Sequence, residues 1–206
     1  MLRLLSRMIL RSIRWRIEGE LPKLDKYVII GAPHTSTWDG VVFFAGFGYL
    51  GIRLRFLSKP ANLRGLTGPL FRYFGAIAVD RERSGNVVAD IAAEFAAHDR
   101  FVLALGPEGT RKYRSHWRSG FYHIARAADV PVLLIGIHFK ERRIILGPTI
   151  ELTGDVGADM DRIREFYREN SSGADEARVS PVRLREEEPA ITAEAATSDG
   201  GESPAT

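Results

Sequence analysis

His34 and Asp39 stand five positions apart in the run Ala32-Pro33-His34-Thr35-Ser36-Thr37-Trp38-Asp39, just after an apolar stretch at 27–30. Imidazole is the side chain whose free pKa lies nearest neutrality. A carboxylate bonded to one ring nitrogen fixes its tautomer, so that the other nitrogen can accept a proton. The pair is the minimum equipment for deprotonating a hydroxyl. If Thr35, Ser36 or Thr37 caps a helix, Asp39 falls in its first turn, where the macrodipole favours an anion, and can fold back toward His34.

Two further loops carry polar chemistry. Leu105-Gly106-Pro107-Glu108-Gly109-Thr110-Arg111 leaves an apolar run and turns sharply, bringing a carboxylate, a hydroxyl and a guanidinium together, with Lys112, Arg114 and Arg118 behind them. Such a loop can offer backbone donors and a planar fork to a phosphate while Glu108 bonds neighbouring hydroxyls. Asp80-Arg81-Glu82-Arg83 follows another short apolar run and adds a second basic loop. The glycines of Gly46-Phe47-Gly48-Tyr49-Leu50-Gly51 have the spacing of a dinucleotide-binding turn, but they follow a helical pattern and precede a strand, the reverse of what that turn requires. His98, His116, His123 and His138 have no metal-ligand spacing, so no metal is expected. Neither a Gly-x-Ser-x-Gly elbow nor a P-loop is present.

The elements that must position these loops alternate. Strands are expected at 27–30, 52–57, 77–79, 101–105, 132–139 and 143–146, and helices at 39–47, 69–73, 87–97, 120–128 and 159–168. Strands separated by helices imply an α/β fold, a mostly parallel sheet with helices on both faces. Ligands of such sheets collect beyond the carboxyl ends of the strands, where His34, Asp80-Arg81 and Glu108 to Arg111 would emerge.

The 206 residues, 45% of them hydrophobic, suit one domain at 19–170 with appended ends. With no cysteine, disulfides and a cysteine nucleophile are excluded, and the composition suits a reducing compartment. The first 18 residues read as an amphipathic helix. Arg3, Arg7, Arg11 and Arg14 form a stripe about 80° wide, and Leu2, Leu4, Leu5, Met8, Ile9, Ile13, Trp15 and Ile17 cover most of the rest. Each arginine would cost roughly 2.5 to 3.5 kcal/mol at a bilayer centre, so the segment is expected to lie in a membrane interface through residues 1–17 rather than to span it. Residues 171–206, acidic and rich in Ala, Ser, Thr, Gly and Pro, read as a disordered tail. The positive charge sits on one helix and two loops with no aromatic platform, so a nucleic-acid partner is not expected.

Taken in order, these blocks resemble the glycerolipid acyltransferase family typified by 1-acylglycerol-3-phosphate acyltransferases. His34 to Asp39 looks like the family's His-x4-Asp motif. Gly75-Ala76-Ile77-Ala78-Val79-Asp80-Arg81 is similar to its second block, Leu105 to Arg111 to its Pro-Glu-Gly-Thr-Arg block, and Val130-Pro131-Val132 to its fourth. Departures are Ala78 for a bulkier residue, Gly106 for phenylalanine, Lys112 for serine and Leu134 for a second proline. The resemblance implies an O-acyltransferase in phospholipid biosynthesis without a cofactor or covalent enzyme intermediate. His34, held by Asp39, would deprotonate the hydroxyl of a lysophospholipid such as 1-acyl-glycerol-3-phosphate, which attacks acyl-CoA or acyl carrier protein. Arg81 and Arg111 would hold the acceptor's phosphate, Glu108 its glycerol portion, and Gly109 and Thr110 would shape the turn. The expected location is peripheral, on the cytoplasmic face of the membrane. An aminolipid or glycolipid acceptor is the main alternative, and a non-catalytic peripheral membrane protein is the alternative from another class.

Overall fold

A computed structural model of the chain describes residues 2–34, 38–66, 68–79 and 87–188, the side chains of Trp38 and Asp39 left aside. Its strands are β1 (Arg16–Glu18), β2 (Lys26–Ala32), β3 (Leu54–Ser58), β4 (Ala76–Ala78), β5 (Phe101–Leu105), β6 (Val132–His138) and β7 (Arg143–Ile150). Its helices are α1 (Leu2–Ser12), α2 (Trp38–Leu50), α3 (Pro60–Arg64), α4 (Gly68–Tyr73), α5 (Val87–Ala97), α6 (Gly120–Ala128) and α7 (Val156–Asn170). The strands form one sheet in the order β1-β7-β6-β2-β5-β3-β4, parallel throughout except where β7 returns antiparallel beside β6. This is the mostly parallel α/β architecture that the alternation predicts.

Both faces of the sheet are covered, and the side-chain period of two sorts each strand between them. In β2, Val28, Ile30 and Ala32 face one core with Phe95, Phe121, Met160 and Ile163 from α5, α6 and α7. Tyr27 and Ile29 face the other core with Val42 and Phe47 of α2. Helix α1 packs outside α2, and the approach is close enough that a Cβ on Gly48 would lie 2.3 Å from the Ser6 hydroxyl oxygen. Gly48, at least, serves helix packing, since a methyl group there would press on Ser6.

Both ends of the chain depart from expectation. The amphipathic helix does not run to residue 18. It stops at Ser12, Arg14 takes a left-handed conformation with φ 59°, and the Trp15 amide donates back to the Leu10 carbonyl at 2.8 Å. Beyond that point Ile13, Trp15 and Ile17 alternate with Arg14, Arg16 and Glu18, a strand period, and the three apolar residues pack against the α2 core while β1 pairs with β7. At the other end, residues 171–188 are not part of a disordered tail. They fold back along the loop at 113–119, burying Ser180 and Leu184 to 1% exposure and closing with a 3₁₀ turn at Arg185–Glu187. Trp117 N–H donates to the Arg183 carbonyl at 2.8 Å, Arg183 Nε to the Ser115 carbonyl at 2.9 Å, and Arg114 N–H to Ser180 Oγ at 3.0 Å. Residues 189–206 lie outside the described residues. No helix among the described residues is long and apolar enough to cross a membrane.

Candidate active site

Strands β2 and β5 are parallel neighbours in register Ile30 with Leu105, so the loops that leave them emerge side by side at one end of the sheet. His34 sits on the first loop, half-buried, after a cis peptide bond between Ala32 and Pro33. Glu108 sits on the second, only 1% exposed, and its Oε2 accepts the backbone N–H of His34 at 2.8 Å. A carboxylate acceptor makes this a charge-assisted bond, stronger than a neutral one. Glu108 thereby fastens the His34 loop to its neighbour.

The geometry around Glu108 explains the glycines beside it. Gly109 N–H donates to the Gly106 carbonyl at 2.9 Å, closing a tight turn, and Gly109 adopts φ 67°. A Cβ there would lie 2.4 Å from Arg118 Cδ, so only glycine lets Arg118 cross the turn, and Arg118 N–H is itself held by the Pro107 carbonyl at 2.8 Å. On Gly106 a Cβ would stand 3.8 Å from His34 Cδ2, ordinary contact distance, so the turn lies against the imidazole. Thr110 Oγ1 accepts the Lys112 N–H at 3.3 Å, and Arg111 is exposed beside it.

From behind, Tyr167 of α7 donates its hydroxyl to the Ile30 carbonyl at 2.8 Å, close to the end of β2. Burial pushes its phenol well above the ordinary tyrosine value, and the negative charge of Glu108 pushes the same way, so the hydroxyl stays protonated as a donor. Tyr167 was not singled out in the sequence, and Arg118 was named only as one of the bases behind the turn. Tyr167 carries only the signal of an apolar position on an amphipathic helix, and Arg118 that of one base in a basic run.

The structure thus brings together His34, Glu108, Gly109, Thr110 and Arg111. Asp39 falls in the first turn of α2 by its backbone, and its side chain is not described. Arg81 lies outside the described residues. Glu108 bonds inward to the His34 backbone, an engagement that the resemblance to acceptor-binding residues did not include. Among the described residues no group of three or more His, Asp or Glu side chains could hold a metal ion. His34 thus follows a strand end, and its loop is bonded to the turn that bears the exposed Arg111. That arrangement suits proton transfer next to an anionic ligand.

The fold is similar to the crystal structure of the 1-acyl-sn-glycerophosphate (LPA) acyltransferase PlsC from Thermotoga maritima, with a TM-score of 0.58 over 82% of this chain and 76% of that one, at 15% sequence identity. No curated protein matches the sequence. The family model named Acyltransferase matches residues 12–138, which take in the His34 loop, the turn at 106–111 and six of the seven strands, and on that match the chain belongs to the acyltransferase family.

Proposed function

We propose that this acyltransferase moves a fatty acyl group from acyl-CoA or acyl carrier protein to the hydroxyl of a lysophospholipid, 1-acyl-glycerol-3-phosphate first among them, in phospholipid biosynthesis. The observation that carries the reading is the contact between the two loops: the base-bearing loop of His34 is hydrogen-bonded to the turn that bears Arg111. A hydroxyl presented to His34 by a phosphorylated molecule would have its phosphate within reach of that turn. The name of the Thermotoga maritima protein supports the same acceptor class.

In this mechanism one ring nitrogen of His34, its partner nitrogen oriented by Asp39, takes the acceptor's hydroxyl proton as the oxygen attacks the thioester carbonyl. Collapse of the tetrahedral species forms the ester C–O bond and breaks the C–S bond, and the imidazolium returns the proton to the departing thiolate. Arg81 and Arg111 hold the acceptor's phosphate, and Gly109 and Thr110 shape the turn. Glu108 holds the His34 loop to that turn and so governs the acceptor's position. The lipid side of the reaction belongs at a membrane surface. Leu2, Leu4, Leu5 and Met8 of α1 are all exposed, which supports peripheral attachment through α1, at the cytoplasmic face in this reading.

The test is a panel. The purified full chain is incubated with labelled acyl-CoA or acyl carrier protein and with lysophosphatidic acid, other lysophospholipids, aminolipid and glycolipid acceptors. Preferential labelling of the phosphomonoester lysolipid is expected. Labelling of an aminolipid or glycolipid alone would move the acceptor to that class, and no labelling of any acceptor would contradict the reading.

A further inference from the structure

A groove of about 880 Å³ opens at the β1 edge of the sheet, away from the Glu108 turn. Six cations line it: Arg7 and Arg11 from α1, Arg14, Arg16 from β1, and Lys140 and Arg142 from the turn between β6 and β7. Its two carboxylates, Glu18 and Glu141, are bonded to Arg143 at 2.8 and 2.6 Å, so they do little to neutralise the lining cations. Two of those arginines occupy a conformation in which glycine is the relaxed residue. Arg14 has φ 59° and Arg142 φ 52°, and the third non-glycine residue with positive φ among those described, Asp129, is the cap that ends α6. Retaining arginine at both positions points to a use for the side chain, since the backbone favours its absence; for Arg142 part of that use is local, a bond from Nη1 to the Ile13 carbonyl at 3.3 Å.

The groove's position narrows that use. Ala32 of β2 pairs with Gly136 of β6, so the β6–β7 turn extends beyond the same end of the sheet at which β2 releases His34. Strands β7 and β1 are second and third from β2, about 10 to 14 Å to one side at ordinary strand spacing. The Glu108–Arg111 turn lies at the end of β5, on the other side of β2. His34 therefore stands between two basic flanks. An acceptor whose phosphate meets the β5 side leaves the β7 side for the second substrate.

We infer that this groove binds the phosphorylated nucleotide head of a coenzyme A thioester, with the thioester end reaching toward His34, and that the donor is acyl-CoA rather than acyl carrier protein. Planar guanidinium forks match a pyrophosphate and a 3′-phosphate, which together carry enough charge to engage several arginines. Trp15, braced edge-on by Phe139 at 5.9 Å, brings aromatic surface into the groove for a purine. Neither Leu4 nor Met8, the most exposed apolar side chains of α1, contributes to the lining, which separates the groove from that helix's outward apolar face. The inference rests on the acyl-transfer reading, but it can be tested apart from it.

Adenosine 3′,5′-bisphosphate, which has no thioester, is titrated calorimetrically into the full chain and into Arg14→Gly, Arg142→Gly and Arg11→Gln variants. Glycine suits both positive-φ sites, so Arg14→Gly should melt no lower than the parent and Arg142→Gly, which gives up one exposed bond to the Ile13 carbonyl, at most slightly lower, and Arg11→Gln in the exposed face of α1 makes no backbone demand. The expected result is nucleotide binding by the parent that weakens on the order of tenfold in each variant. The KM for acyl-CoA should rise in parallel and the KM for the lysolipid should stay put. Unchanged nucleotide affinity in all three variants overturns the proposal. So does a loss confined to binding of anionic phospholipid vesicles, which would give the groove to lipid headgroups, or transfer from acyl carrier protein alone. A parent that binds the nucleotide through these arginines but acylates no acceptor upholds the groove and defeats the acyl-transfer reading instead.

Discussion

At the scale of single residues, Glu108 carries a consequence that follows from its direction. Its carboxylate points inward to the His34 amide and is almost wholly buried. Glu108→Ala would leave that amide without its acceptor and open a void. The cost in unfolding free energy should be about 1 to 3 kcal/mol, with a larger proportional loss in kcat because His34, the base of the proposed mechanism, is displaced. Glu108→Gln keeps a carbonyl acceptor and should recover part of both. Chemical denaturation and initial rates on the two variants check this, and equal behaviour of both with the parent would show that the bond is dispensable. His34, Glu108, Gly109, Thr110 and Arg111 were legible in the sequence because each is a chemically distinctive residue next to a glycine turn. The inward bond of Glu108 was not legible, because it depends on β2 and β5 being neighbours although 68 residues separate the end of β2 at Ala32 from the start of β5 at Phe101.

Among elements, α6 and α7 are joined by one buried carboxylate. Asp159, in the first turn of α7 and fully buried, accepts the Tyr122 hydroxyl at 2.8 Å, the Thr153 amide at 2.9 Å and the Gly154 amide at 3.2 Å. Burial alone would raise its pKa, but these bonds to the charged form outweigh it and hold the group below its ordinary 3.8. The same bond, after burial, pushes Tyr122 up to about 12. Because the native pKa is depressed, the stabilisation is fully present above the unfolded value and disappears as pH falls through the lower native one. Asp159→Asn should therefore cost about 2 kcal/mol at neutral pH, with the difference from the parent shrinking below about pH 4. Denaturant melts at pH 7 and pH 3 decide it, and a pH-independent difference would remove the charge from the account.

Element boundaries were legible where apolar runs end on strong signals, as at α5, β5 and α6, whose spans 87–97, 101–105 and 120–128 match expectation. They were illegible where two periods overlap. Residues 13–17 satisfy a helical stripe and a strand alternation at once, and the left-handed Arg14 decides between them. The fold-back at 171–188 was hidden by its polar composition, since one leucine and one serine buried against distant loops leave no periodic trace.

Over the whole molecule, charge and apolar exposure coincide. Residues 1–17 and 40–79 hold ten of the 29 basic residues and none of the 26 acidic ones. The same segments supply the exposed Leu2, Leu4, Leu5, Met8, Leu66, Leu70 and Tyr73, and α1 packs on α2 between them. Such a surface should bind anionic vesicles more tightly than zwitterionic ones and lose that preference as salt screens it. Replacing Leu4 and Met8 together by glutamate should lower vesicle affinity about tenfold or more while the melting temperature holds, since both side chains face solvent. Undiminished sedimentation with anionic vesicles would detach α1 from the membrane. The central claim, however, is that a histidine at the end of β2 deprotonates a lysolipid hydroxyl on such a surface. The most direct measurement is acyl transfer to lysophosphatidic acid on anionic vesicles by the parent and by His34→Ala, with folding and vesicle binding verified for both. The account predicts that kcat falls by about 10² to 10⁴ while vesicle binding is unchanged; equal turnover by the two proteins would contradict it.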